Sequence, residues 1–172
     1  MKNLYINSFA SKIGEIKTAA TDKGVVLIAL PNESKKKFDL KVRDDFFSYD
    51  IKYGGVHNRH VEKEILQYLN GKRYKFTVKV VFTGTEFQKV VLRRVAKIPY
   101  GDTKTYGEIA QSVNNPGASR AVGSANAKNK LPIIIPCHRV VASNGLGGYG
   151  GGINLKKKLL QLEKAISDNR FL

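Results

Sequence analysis

The spacing of apolar residues changes period near Thr83-Gly84. Upstream, apolar residues fall in short alternating runs, as strands require. Downstream, they recur every three to four residues, as helices require. The change predicts an α/β two-domain chain. A small α/β N-terminal domain spans 1–83, and a mainly helical C-terminal domain spans 84–172. With 172 residues the chain is long enough to bury a real core.

In the first half, Gly14 to Leu30 predicts a hairpin around Thr21-Asp22-Lys23-Gly24, with Val25 to Leu30 as a buried run. Lys35-Lys36-Lys37 reads as a solvated turn or edge. Asn58 to Asn70 predicts a helix, with Val61, Ile65 and Leu69 at spacing four and Gly71 as its stop. Lys75 to Phe82 alternates like a strand. This half holds no catalytic constellation, and His57 and His60 read as surface residues near the helix start.

In the second half, Thr85-x-x-Gln88 matches a capping box, followed by Phe87, Val90, Val91, Arg94 and Val95. Ile98-Pro99-Tyr100-Gly101 ends that helix. Thr105-x-x-Glu108 opens a second, through Val113. Asn115 is expected to cap a third helix, Ala118 to Lys128, with Pro116 at its first position. Two short helices joined by a Gly-containing turn form a helix-turn-helix. The third helix is rich in small residues, and Arg120 is the long exception. A major-groove reader needs Arg, Asn or Gln at base edges. This composition fits a helix lying flush in a narrow groove, with one arginine entering the base stack. It equally fits a helix packed tightly on its neighbour. Ile153 to Ile166 predicts the final helix, with Leu155, Leu159, Leu162 and Ile166 on one face.

Charge narrows the partners. Thirty Lys+Arg against fourteen Asp+Glu give +16. A balance this basic is the footprint of phosphate binding, with solubility as the plain alternative. The single cysteine excludes an intramolecular disulfide and a Cys-rich zinc site. The three histidines include no HExxH, so no metal is expected. No apolar run approaches the roughly 20 residues of a membrane span, and the N-terminus lacks signal-peptide features. The expected location is the cytoplasm, with the nucleoid.

That cysteine, Cys137, follows Pro132-Ile133-Ile134-Ile135-Pro136 and precedes His138-Arg139. A thiol attacks only as the thiolate, which needs a base, a cation or helix dipoles nearby. In a regular strand, Cys137 and His138 would face opposite sides. Contact between them needs a turn at Pro136 or a bridging water. A buried structural cysteine is the other reading these residues allow. Gly145-Leu146-Gly147-Gly148-Tyr149-Gly150 fits G-x-G-x-x-G, but no second parallel strand and no ribose-binding acid accompany it. The dinucleotide reading is therefore rejected. Such a loop lets backbone approach a flat ligand closely, or is simply flexible.

Pro136-Cys137-His138-Arg139-Val140 resembles the active-site motif of the O6-alkylguanine-DNA alkyltransferases, the methylated-DNA–protein-cysteine methyltransferases. The resemblance runs in family order from Phe87 to Glu163. It takes in Ile98-Pro99-Tyr100-Gly101, Thr105-Tyr106, Ser119-Arg120-Ala121-Val122-Gly123, Asn129 and the glycine loop. The first half matches only as the expected small α/β domain. The resemblance implies a winged-helix-like C-terminal domain that binds double-stranded DNA through the minor groove. It implies flipping of O6-alkylguanine and irreversible transfer of the alkyl group to Cys137, once per chain, by a monomer without a cofactor.

The resemblance also assigns roles. Cys137 is the nucleophile, His138 the base acting through a water, and Glu163 the acid that orients it. Asn129 is a hinge, and Arg120 fills the gap left by the flipped base. Tyr106 crowds the 3′ phosphate and donates to guanine N3. Ala118, Ser119, Ala121, Gly123, Ser124 and Arg139 are expected to face DNA. Val140, Tyr149, Gly150 and Gly151 are expected to line the base pocket. Flipping is needed because the alkyl carbon is out of reach inside the stack. Three departures stand out: Gly150 where some members carry serine, no tryptophan in the last helix, and no cysteines for the N-terminal zinc site of some relatives. Alkyltransferase-like lesion binders lack the cysteine present here. A helix-turn-helix regulator would carry more base-reading side chains, and cysteine hydrolases usually hold Cys and His far apart in sequence.

Overall fold

A computed structural model describes residues 1–165. The chain divides between Val81 and Phe82 into two compact units. The first is a four-stranded sheet in the order β3-β2-β1-β4 with two helices. Strands β1 (Lys2–Ser11), β2 (Gly14–Thr21) and β3 (Gly24–Ala29) form an antiparallel meander, and β4 (Tyr49–Tyr53) runs parallel to β1. The expected hairpin is present, with Thr21 opposite Gly24. The core gathers Leu4, Ala19, Leu27, Phe38 and Val42.

Two expectations fail here. Lys35-Lys36-Lys37 does not form a turn or edge but opens helix α1 (Lys35–Asp45). The Ser34 hydroxyl accepts from the Lys37 N–H at 3.2 Å, an N-cap that precedes the lysines. Phe38 and Val42 alone bury that helix, too few to raise a periodic signal. The second helix, α2 (Val56–Leu69), is where the spacing placed it. Residues 75–82 do not form a regular strand. They touch the sheet edge only where Val25 N–H donates to Lys79 O and Val81 N–H to Val25 O, both at 2.9 Å.

The reason is Glu64, buried on α2. Its carboxylate accepts from the N–H groups of Thr77 (2.9 Å) and Val78 (3.1 Å) and from the Thr77 hydroxyl (2.5 Å). Those donors are then lost to a strand ladder. Arg73 at 3.1 Å and His60 at 3.2 Å complete the cluster. Burial pushes the Glu64 carboxyl up, but these donors and Arg73 outweigh it and hold it below its ordinary value.

The second unit contains α3 (Glu86–Val95), α4 (Tyr106–Ser112), α5 (Ser119–Ala127) and α6 (Ile153–Leu162). Short strands β5 (Lys104–Thr105) and β6 (Val140–Val141) pair in parallel. Both capping boxes form. Gln88 N–H donates to Thr85 Oγ1 at 3.2 Å, and Glu108 N–H to Thr105 Oγ1 at 3.1 Å. Helices α4 and α5 pack together as the helix-turn-helix. Asn115 is not the cap of α5: Ala118 holds that position, and Asn115 instead accepts from the Ala118 N–H at 3.0 Å in the intervening turn. Helix α6 buries Lys156, Leu159 and Leu160, while Leu155 and Leu162 are half-buried. Ile166 lies outside the described residues.

Glu64→Ala strands the Arg73 charge and two backbone N–H groups. We expect it to lower the urea unfolding free energy by about 3 kcal/mol. A loss below about 1 kcal/mol would show that the cluster does not anchor this segment.

Candidate active site

The site is built on a bent backbone between α5 and β6. Asn129 organises its entrance: Leu131 N–H donates to Asn129 Oδ1 at 3.0 Å, and Asn129 Nδ2 donates to Ile135 O at 2.9 Å. Ile133, fully buried, sits at φ 74°, a left-handed conformation that β-branched residues avoid. At Pro136 (φ −79°, ψ 64°) the chain makes an inverse γ-turn, closed by Cys137 N–H to Ile135 O at 2.8 Å. A single 3₁₀ turn, Cys137–Arg139, follows. Cys137 and His138 are therefore not on a strand, and the alternation that would separate them does not apply.

Cys137 is 6% exposed. Burial pushes its thiol up. Opposing this are a hydrogen bond from the Asn129 side chain, the charge of Lys156 and the N–H groups of Cys137 and His138. Asn126, near the end of α5, donates from Nδ2 to Cys137 O at 3.3 Å. Asn126 and Asn129 together tie the small-residue helix to the cysteine.

His138 is fully buried, and its Nε2 lies 2.8 Å from Glu163 Oε1. With Nε2–H donating to the carboxylate, the lone pair falls on the buried Nδ1. Burial lowers the imidazole from its ordinary value, Glu163 works the other way, and Arg139 and Lys156 add to the lowering. The ring is thus neutral at pH 7. Glu163 caps α6, and burial alone would raise its carboxyl. His138 and Arg139 outweigh burial and hold it at about 2.

Arg139 does not face DNA. Its Nε and Nη2 grip Glu163 Oε2 and Oε1, both at 2.9 Å, and Nη1 donates to Ile98 O at 2.6 Å. It is 6% exposed, and its guanidinium lies 5.7 Å from the Tyr100 ring centre. The buried carboxylate attracts it more strongly than solvent or an external phosphate would.

The other expected residues are placed as follows. On α5, Arg120, Ala121 and Ser124 are exposed, while Ala118, Ser119 and Gly123 are half-buried. Tyr106 begins α4 and packs between α5 and the glycine loop. A Cβ on Gly123 would lie 3.8 Å from its ring, and one on Gly147 only 2.8 Å from its hydroxyl. Larger residues at 147 would evict the tyrosine. Burial raises the Tyr106 hydroxyl, against a hydrogen bond from the Gly148 N–H, so it stays a proton donor. Val140 is buried in β6. The Tyr149 ring meets His138 edge-on at 6.3 Å, and its hydroxyl is buried without a hydrogen-bond partner among the described residues. Burial and the charges at Cys137 and Glu163 push that hydroxyl well up. Gly150 is exposed and Gly151 half-buried.

Two residues at the site escaped the sequence reading. Asn126 was hidden among small residues of α5. Lys156 is fully buried, with Nζ donating to Val140 O at 2.6 Å and to Gly148 O at 3.0 Å. Burial lowers it to about 8. The signal was the spacing 156, 159, 160, 163, an inward helical face whose two ends are charged rather than apolar. Among the described residues, no cluster of His, Cys, Asp and Glu could hold a metal, and no helix is long and apolar enough to cross a membrane.

Residues 86–165 match the family model for the 6-O-methylguanine DNA methyltransferase DNA-binding domain. The chain is 41% identical to the methylated-DNA–protein-cysteine methyltransferase of Methanosarcina acetivorans, over 93% of this chain and 98% of that one. It is 52% identical to the inducible enzyme of Bacillus subtilis, over 87% of this chain and 84% of that one. The crystal structure of Mycobacterium tuberculosis OGT in complex with DNA aligns with a TM-score of 0.80 at 34% identity, covering 94% of this chain and 93% of that one. The chain belongs to the methylated-DNA–protein-cysteine methyltransferase family.

Proposed function

We infer that this protein repairs duplex DNA by moving the O6-methyl or other alkyl group of guanine irreversibly onto its own Cys137. The observation that carries the reading is the buried turn at Pro136. It sets the lone cysteine next to a neutral histidine held by a carboxylate, and ties both to a small-residue helix that exposes Arg120.

The chemistry follows from the groups present. The exposed stripe of α5 lies in the minor groove, where small side chains allow close approach. Arg120 occupies the space vacated by the flipped guanine, and Tyr106 crowds the adjoining 3′ phosphate. His138 Nδ1 takes the Cys137 proton through a water, and Glu163 stabilises the imidazolium that forms. The Cys137 Sγ–carbon bond then forms as the carbon–O6 bond breaks, and the electron pair goes to guanine. Tyr106 donates to guanine N3, countering charge on the leaving base. Val140, Tyr149, Gly150 and Gly151 line the pocket. A thioether has no easy hydrolysis route, so each chain acts once. No group in this scheme requires a cofactor. The protein acts as a monomer in the cytoplasm, at the nucleoid, with binding and transfer assigned to the second unit.

Intact mass after incubation with a duplex carrying one O6-methylguanine should rise by one methyl per chain, mapped to Cys137. Undamaged duplex should add nothing. Tight lesion binding without mass gain would make the protein a lesion sensor instead. Arg120→Ala should slow repair in duplex at least about tenfold while sparing reaction with the free base O6-methylguanine, because only the duplex requires flipping. Equal slowing would remove Arg120 from that step. The low Glu163 value also predicts a stability profile. Its contribution is present above the ordinary carboxyl value of 4.5 and is lost as pH falls through about 2. Glu163→Gln should therefore unfold with a shallower acid dependence over that window. An unchanged slope would mean that Glu163 is not held ionised.

A further inference from the structure

Lys156 is the buried cation that the scheme above leaves unused. It rises from α6 into the space between β6 and the glycine loop, where its ammonium donates to Val140 O on one side and Gly148 O on the other. Gly148 is held from both of its backbone groups, since its N–H also donates to the Tyr106 hydroxyl. Lys156 thus fastens the two backbone walls expected to receive the base, and places a positive charge within electrostatic reach of Cys137.

We propose that Lys156 is a positioning residue that latches the glycine loop to β6 and supplies the positive charge favouring the Cys137 thiolate. This deepens the alkyl-transfer reading and rests on it. A salt bridge to a carboxylate would neutralise the lysine. Two carbonyls take two of its three donors while leaving its charge intact, which suits a group meant to act on a nearby thiolate. Among the described residues, the group of opposite charge that acts on the ammonium is Cys137 in its thiolate form. The other ionisable groups around the cysteine are accounted for. His138 and Arg139 follow it on the 3₁₀ turn, and both are engaged with Glu163 from the end of α6. Tyr106 from α4 and Tyr149 from the loop are pushed up and stay neutral. Arg139 spends its charge on Glu163, which leaves Lys156 as the cation that can stabilise sulfur.

Cys137 is the only cysteine in the chain, so a thiol reagent reports on it alone. The test is the rate of carboxamidomethylation by iodoacetamide as a function of pH, read by intact mass, for the full chain and for Lys156→Met and Lys156→Arg. Methyl uptake from an O6-methylguanine duplex is measured in parallel. Lys156→Met should move the midpoint of the profile up by about one pH unit, cutting the rate near pH 7 about tenfold. Lys156→Arg, which keeps the charge, should hold the original midpoint. A purely structural lysine would lower thermal stability in both variants without moving either midpoint. A Lys156→Met profile that superimposes on the parent's after scaling overturns the proposal. Should the Met variant fail to fold, a midpoint for Lys156→Arg raised by a full unit overturns it too. If the parent takes up no methyl while the midpoints shift as expected, the repair reading falls and the Lys156 assignment stands.

Discussion

Among the described residues, Glu163 accepts three charge-assisted hydrogen bonds, one from His138 and two from Arg139. A carboxylate buried without partners costs several kcal/mol, so the three groups hold one another in place. Arg139 extends the arrangement to Ile98 O, at the end of the α3 segment. His138 extends it to the reacting turn. The last described helix, the segment after α3 and the turn that carries the cysteine are therefore linked through one ionised group. His138 and Arg139 share one carboxylate, which explains how a neutral imidazole can be both buried and fixed in its tautomer.

Against that anchor the backbone stores strain. Ile133 in the left-handed region is unfavourable alone, while the inverse γ-turn at Pro136 beside it is a common, unstrained bend. Asn129 compensates by bonding both arms of the loop, and Asn126 adds a bond to the Cys137 carbonyl. The result is a cysteine held on a rigid turn that also reports the position of α5. An alkyl group added to Cys137 enters this closely packed region, where extra volume is costly. Such crowding would be transmitted first to α5, the helix proposed to lie in the groove.

Much of this was legible in the sequence, for identifiable reasons. The capping boxes at Thr85 and Thr105 are local chemistry and survive any tertiary context. The hairpin at Thr21–Gly24 is equally local. The Pro-Cys-His-Arg-Val run is equally local, and it puts the lone cysteine beside the histidine that Glu163 holds. What escaped depended on partners distant in sequence. The strand expected over 75–82 lost its donors to Glu64, thirteen or fourteen residues away. The lysines at 35–37 began a helix because Ser34 caps it and the sheet accepts Phe38 and Val42. The resemblance places Arg139 toward DNA, whereas burial and Glu163 decide its direction. Lys156 sat in a run of three lysines, and only the helical phase separates the buried one from its exposed and half-exposed neighbours.

The most direct test of the account is the protonation state of His138, observed by nitrogen-15 NMR of imidazole-labelled protein, with His138 assigned by substitution. The account predicts a neutral ring at pH 7, protonated at Nε2 and bare at Nδ1, whose midpoint lies below the ordinary histidine value. A doubly protonated ring at pH 7, or a proton on Nδ1 instead, would contradict it. Glu163 would then not be fixing His138 as the base for Cys137.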